Sequence, residues 1–117
     1  MRAIYDAFAE RDVEAALEHI GDDCELELPG TAERAGRAGP YRGPEGVRQY
    51  FTDATAIWAE LTLYADDIRA ASGGVAVFGH IEGSDGKQVL RRRVLWLWQL
   101  RDGKAVHVRA NDLGEFE

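Results

Sequence analysis

The chain has 117 residues, 45% of them hydrophobic and 30% charged, and its formal net charge is −7. This length predicts one domain over residues 1–117, and the negative charge argues against nucleic acid or an anionic membrane as a partner, because both attract basic faces. One cysteine excludes an internal disulfide, no Cys and His spacing suits a metal, and no signal peptide or apolar run of about 18 residues is present, so we expect a cytoplasmic protein without a cofactor.

Two short amphipathic helices are predicted at the beginning of the chain. Apolar residues recur every three or four positions over residues 4–8 and again over 13–20, with Asp and Glu between them. Asp12 is placed to cap the second helix at its N-terminus, and Gly21 is placed to end it. These helices each present one apolar face for packing.

A strand, a loop and a third helix follow. Residues 24–28 alternate strictly between apolar and acidic, which predicts a strand with Cys24 as a small buried hydrophobe. Residues 30–43 are rich in Gly, Ala, Arg and Pro, and we interpret them as a long surface loop or a flap. Pro44 suits the first turn of a helix whose apolar stripe continues to Trp58.

Four strands complete the chain. Residues 61–70 predict the first, with a bulge or bend at Asp66-Asp67, and residues 75–82 predict the second. The run 88–100 lies between two Asp-Gly pairs, a sequence typical of tight hairpin turns. It is therefore the middle strand of an antiparallel meander that ends with residues 105–112. Fully extended it would span about 43 Å, so it must bend within so small a domain.

The order of the elements predicts an α+β fold. A bent sheet with three N-terminal helices across its concave face forms a cone that is open at one end. A half-closed cone of this kind usually keeps a pocket.

Several short motifs resemble, in their order and spacing, those of the SnoaL-like polyketide cyclases. This family belongs to the nuclear-transport-factor-2-like superfamily, which also includes ketosteroid isomerase and limonene epoxide hydrolase. The resemblance covers nearly the whole chain and implies the cone fold, but it does not imply one chemistry, because the same cone hosts enzymes and non-catalytic modules. The motifs are Tyr5-Asp-Ala-Phe8, Arg11-Asp-Val-Glu-Ala15, Asp22-Asp23, Tyr41-Arg-Gly-Pro-Glu-Gly-Val47 and Trp98-Gln-Leu-Arg-Asp-Gly-Lys104.

The resemblance also implies where the relatives keep their catalytic groups. Ketosteroid isomerase uses an Asp base with a Tyr and a protonated Asp, and the matching positions here are Leu28, Ile4 and Trp96. Tyr5 is one position from Ile4 and is turned about 100° away on the helix. Limonene epoxide hydrolase needs an Arg and an Asp two residues apart on one strand, but residues 88–100 contain no carboxylate. Neither mechanism is therefore expected, whereas cyclases of the family use a pocket Asp as acid and base.

Strand alternation separates the residues that face the cone from those that face outward. By resemblance, residues 92, 94, 96 and 98 face inward on the long strand, and residues 106, 108, 110 and 112 do so on the last strand. Asp112 is then the inward carboxylate of the meander. It is either a general base whose pKa the neighbouring indoles raise, or a solvated residue at a strand end.

The remaining pocket residues also have two interpretations. The indoles of Trp96 and Trp98 either stack on a planar ligand or fill the cone, and Arg92 either holds an anionic ligand or pairs with an acid. The predicted ligand contacts are Leu28, Tyr50, Phe51, Arg92, Trp96, Trp98 and Val108.

The outer face of the sheet also carries apolar residues, which indicates a sheet that is covered on both sides. The resemblance implies a homodimer through this convex face. Three functions stay open: a cyclase or isomerase-type enzyme acting through Asp112, a non-catalytic pocket for a small hydrophobic or aromatic molecule, and a homodimeric interaction module with a filled cone. The predicted interface residues are Phe78, His80, Leu95, Leu97, His107 and Arg109.

Overall fold

The computed structural model describes residues 1–115, so the last two residues of the predicted domain lie outside the described part of the chain. Four helices and two strands lie between residues 2 and 57, and four longer strands follow, which confirms the predicted α+β class. The elements are α1 (Arg2–Ala9), α2 (Val13–Leu17), β1 (Ile20–Glu27), α3 (Pro29–Arg34), β2 (Tyr41–Arg42), α4 (Gly43–Ile57), β3 (Glu60–Ala71), β4 (Gly74–Ser84), β5 (Val89–Arg101) and β6 (Lys104–Glu115).

One six-stranded sheet has the order β2-β1-β6-β5-β4-β3. The last three strands form the predicted antiparallel meander, and β3 extends it by pairing antiparallel with β4. β1 runs parallel to β6 and makes the sheet mixed. Register shifts interrupt the ladders, including one between Ala65 and Asp67 where a bulge was predicted. Because bulges bend a strand and increase its twist, the long strands curve around the helices instead of extending past them.

The core lies between the helices and the concave face of the sheet. Alternate residues of β5 are buried there, namely Val94, Trp96 and Trp98, whereas Leu97 between them is 44% exposed. This confirms the alternation predicted for the long strand. Cys24 is fully buried in β1, and burial raises the pKa of its thiol to about 11. The thiol is therefore protonated at neutral pH and packs as a small apolar group.

Two local predictions at the start of the chain have different outcomes. The carboxylate of Asp12 accepts a hydrogen bond from the Ala15 N–H at 3.1 Å, so it caps α2 as predicted. Gly21, however, does not end the helix, which stops at Leu17. It lies inside β1, where a Cβ atom would stand 3.0 Å from the carbonyl oxygen of Ala105. The glycine is explained by this close approach of β6 and not by a helix terminus.

The segment predicted as a loop over residues 30–43 contains the helix α3 and the short strand β2. Pro29 occupies the first turn of α3, where its missing N–H costs nothing. A six-residue helix has little stability of its own. The Thr31 hydroxyl accepts a hydrogen bond from the Trp58 indole at 3.1 Å, and Ala32 is buried, so tertiary contacts hold the helix in place.

The prediction was also wrong for one residue of the last strand, Val106. The ladder between β5 and β6 shifts register between Gln99 and Leu100. As a result Ala105 is buried in the core, while Val106, predicted to face inward, is only half-buried beside Gly21.

Candidate ligand cavity

One cavity has a volume of about 280 Å³ and lies between the concave face of the sheet, α3 and the end of α4. We call it the main cavity because it lies inside the cone. Its polar side chains are Thr31, Glu33 and Arg34 on α3, together with Arg92 and Asp112 on the sheet. The rest of its wall is apolar or aromatic and is formed mainly by Leu28, Tyr50, Trp58, Leu61, Leu63, Ile81, Val94, Trp96 and Ala110.

Five of the predicted site residues line the main cavity: Leu28, Tyr50, Arg92, Trp96 and Asp112. Burial raises the pKa of Tyr50, so its phenol is neutral at physiological pH. The Asp112 carboxylate and the aromatic side chains of Tyr50 and Trp96 therefore line the same cavity.

Two other predicted residues, Trp98 and Val108, line a second cavity of only about 30 Å³ deeper in the cone. Phe51 reaches neither cavity. It follows Tyr50 directly on α4 and therefore points about 100° around the helix, where its ring packs against Phe8 with the centroids 5.1 Å apart.

Asp112 and Arg92 form an ion pair at the wall of the main cavity. The Nε atom of Arg92 lies 3.1 and 2.9 Å from the two carboxylate oxygens, and its Nη1 lies 3.6 Å from a carboxylate oxygen of Glu115. Of the two alternatives for Arg92, the structure shows the salt bridge.

This pairing sets the charge of Asp112. Burial raises its pKa, but the hydrogen bonds from Arg92 and from the Gly114 N–H outweigh burial, and the pKa lies below its ordinary value. The prediction that indoles raise this pKa was wrong. Asp112 is opposite Val94 in the ladder, its side chain is 54% exposed, and the guanidinium of Arg92 is its charged partner. The carboxylate is therefore ionised at neutral pH.

Tyr5, one position from Ile4 on α1, is a core residue. Its hydroxyl accepts a hydrogen bond from the Trp98 indole at 3.1 Å, and its ring meets that of Trp96 edge to face at 5.3 Å. Ile4 is buried as well, because α1 packs a broad face on the sheet. Burial raises the pKa of Tyr5, an effect that the Trp98 hydrogen bond only partly opposes, so this phenol is also neutral.

A buried hydrogen-bond cluster around Asp53, beside the loop that follows α3, was not predicted from the sequence. The carboxylate of Asp53 on α4 accepts hydrogen bonds from Arg37, from the Tyr41 hydroxyl at 2.7 Å and from Gln49 at 2.9 Å. The Arg37 guanidinium, more than the other donors, holds the pKa of Asp53 well below its usual range, although burial opposes this. The available signal was an Asp within the apolar stripe of α4. The cluster fixes the loop between α3 and β2.

The predicted interface residues lie on the opposite, convex face. His80 Nδ1 is 2.6 Å from a carboxylate oxygen of Asp66, and His107 Nε2 is 2.6 Å from one of Glu27. These pairs stand across the sheet from the cavity. Within residues 1–115, no three His, Cys, Asp or Glu side chains are grouped to hold a metal ion. No helix in this part of the chain has the length and apolar character needed to cross a membrane.

Solved structures of NTF2-like proteins share this architecture. An NTF2-like protein of unknown function from Burkholderia pseudomallei has a TM-score of 0.84 at 20% identity, over 95% of this chain and 86% of that protein. TerC, crystallised with polyporic acid, has a TM-score of 0.84 at 23% identity, over 95% of this chain and 86% of that protein. IdmH from Streptomyces antibioticus, a proposed polyketide cyclase, has a TM-score of 0.77 at 24% identity, over 96% of this chain and 88% of that protein. The fold is therefore the NTF2-like cone.

The family follows from the sequence comparison. A family model described as a SnoaL-like domain matches residues 1–108. The chain belongs to the SnoaL-like family, as its motifs predicted. No curated protein matches it significantly.

Proposed function

We propose that the main cavity binds a small, planar, largely apolar molecule and that Asp112 acts on it as a general base. The supporting observation is the position of Asp112, an ionised carboxylate at the end of a wall made of aromatic and aliphatic side chains. Ligand pockets usually measure about 300–1,000 Å³. A cavity of about 280 Å³ therefore suits a molecule of two or three fused rings.

The chemistry is proton transfer at an activated carbon. A carboxylate whose pKa is lowered is a weak base, so its substrate needs an acidic C–H bond next to a carbonyl group. That bond breaks, its electron pair becomes an enolate, and the proton rests on Asp112 until it is returned. The enolate is the carbon nucleophile that a cyclisation needs. The likeness to IdmH, a proposed polyketide cyclase, is consistent with this class of reaction.

We expect the wild-type chain to accelerate the exchange of the C1 methylene protons of 2-tetralone in D2O, followed by proton NMR. Asp112→Asn removes the base but keeps the shape of the side chain. It should lower the accelerated exchange rate about 100-fold or more with little change in affinity. Glu115→Gln is the matched control, because Glu115 also faces Arg92 but does not line the main cavity. Unchanged exchange in Asp112→Asn would rule out the base.

A non-catalytic pocket is the second candidate, and the Arg92 ion pair favours it. In this alternative Asp112 only neutralises Arg92 at the rim, and the cavity sequesters its ligand. Binding of 2-tetralone without accelerated exchange would support this function over the first. The third function, a filled cone, is disfavoured by the volume of the main cavity.

We also propose that two copies of the chain pair through the convex face. Phe78, Leu97 and Tyr64 are large apolar side chains exposed on neighbouring strands of this face. Contiguous exposed apolar side chains mark interaction surfaces.

Leu97→Glu is expected to convert a dimer into a monomer at micromolar concentration. The new carboxylate would lose its hydration at the centre of an apolar interface, and pairing with Arg109, which is opposite in the β5–β6 ladder, does not recover that cost. Sedimentation velocity measures the change. Val89→Glu is the control, since Val89 is exposed at the β4–β5 hairpin and outside the proposed interface. A wild-type chain that sediments as a monomer would refute this proposal.

A further inference from the structure

Trp96 carries a buried hydrogen-bond donor that has no acceptor among residues 1–115. The residue is only 4% exposed, yet its indole N–H makes no hydrogen bond within the described chain. The other two indoles differ: Trp58 donates to the Thr31 hydroxyl and Trp98 donates to the Tyr5 hydroxyl, each at 3.1 Å. Buried indole N–H groups ordinarily have a partner in the protein, in water or in a ligand.

The Trp96 nitrogen is open to a cavity. In the described part of the chain, every side-chain nitrogen or oxygen that is sealed from solvent has a partner. Since the Trp96 nitrogen has none, it is not sealed, although its residue is buried. The ring lines both cavities, and the edge of its six-membered ring lies over Gly79 of β4. The N–H is at the other end of the indole, away from that contact.

We propose that the Trp96 N–H donates a hydrogen bond to a carbonyl or enolate oxygen of the ligand in the main cavity. This rests on the proposed function and names its ligand class: a planar aromatic compound that carries a ketone oxygen. The second cavity, at about 30 Å³, has room for water but not for an aromatic ring. A ligand oxygen must therefore approach Trp96 from the main cavity.

The position of Asp112 fits the same ligand. Trp96 is opposite Ala110 in the β5–β6 ladder, and Asp112 follows two residues later on the same face, about 7 Å along the strand. A ketone whose oxygen meets the Trp96 N–H can therefore turn its α-carbon toward Asp112. When that carbon loses a proton, negative charge grows on the oxygen, and a fixed donor there stabilises the enolate more than the ketone.

The test compares 9-fluorenone with fluorene, two probes of similar shape that differ by one carbonyl oxygen. By isothermal titration, the wild-type chain should bind fluorenone about five- to tenfold more tightly than fluorene. In a ¹H–¹⁵N correlation spectrum, the Trp96 indole proton should move downfield with fluorenone and not with fluorene. Trp96→Phe should remove the preference for fluorenone.

Trp98→Phe is the matched control, because Trp98 lies on the same face of β5 and its N–H is already bonded to Tyr5. It should keep the preference. Equal affinity for both probes in the wild-type chain, or a preference that survives in Trp96→Phe, would overturn the role of Trp96 and leave the proposed function standing. Failure of both probes to bind would contradict both proposals. If Trp96→Phe does not fold, the wild-type indole spectrum alone decides.

Discussion

Replacing Asp53 by Ala is expected to lower the free energy of unfolding by about 3 kcal/mol. The substitution leaves Arg37, the Tyr41 hydroxyl and Gln49 without their shared acceptor. Asp53 is only 8% exposed, so the substitution removes a buried negative charge to which these partners donate hydrogen bonds. The Arg37 side chain is 38% exposed, and water recovers part of the loss, which places the effect near the lower end for a buried pair. Urea unfolding at neutral pH, followed by circular dichroism, measures it.

The stability contributed by Asp53 should also depend on pH in a defined direction. Its pKa is depressed in the folded state, chiefly by Arg37. A group of this kind contributes its full stability above its unfolded pKa, near 4, and loses it as the pH falls toward the folded pKa. The difference in the free energy of unfolding between the wild-type chain and Asp53→Ala should therefore have its full value at about pH 6 and shrink below about pH 4.

Asp67→Ala is the control for both measurements on Asp53. Asp67 pairs with Arg69 on the surface, where both side chains are exposed, so its loss should cost less than about 1 kcal/mol. Equal destabilisation by the two substitutions would show that the Asp53 cluster does not hold the fold. So would a pH-independent difference for Asp53→Ala down to about pH 3.

Ala110→Trp is expected to weaken the binding of fluorene about 100-fold or more, equivalent to about 2.7 kcal/mol, while the fold stays intact. Ala110 lines the main cavity opposite Trp96, so a larger side chain there extends into open space instead of into packed core. An indole is itself a fused two-ring group, the size of ligand proposed for this cavity, and would take up much of its volume. Isothermal titration calorimetry gives the affinities.

Ala70→Trp is the matched control for the filled cavity. Ala70 is exposed near the end of β3 and does not line the main cavity, so this variant should bind fluorene like the wild-type chain. Unchanged affinity in Ala110→Trp would show that the ligand binds elsewhere. An equal loss in both variants would point to a general effect on the fold.

The sheet could be predicted from the sequence because its signals are local. Asp-Gly turns and strict alternation fix the pairing and the two faces of β5, since a shift of one residue would turn every indole outward. The same alternation places Trp96 and Asp112 on the cavity side, where the structure shows them.

The features that were missed depend on contacts between distant parts of the chain. The short helix α3 is held by Trp58, which lies 27 positions from Thr31. Gly21 has its role only because β6 lies beside it. The lowered pKa of Asp112 depends on the cross-strand approach of Arg92. A single sequence carries the residue types for such contacts but not the distances between them.

The central claim is that the main cavity is the ligand site of this SnoaL-like chain. Chemical-shift mapping of the wild-type backbone amides during titration with fluorene tests it most directly. We expect saturable shifts confined to the cavity wall, at the amides of residues 28, 30, 31, 94, 96, 110 and 112. Shifts confined to the convex face around Phe78 and Leu97, or no saturable shifts at all, would contradict the claim.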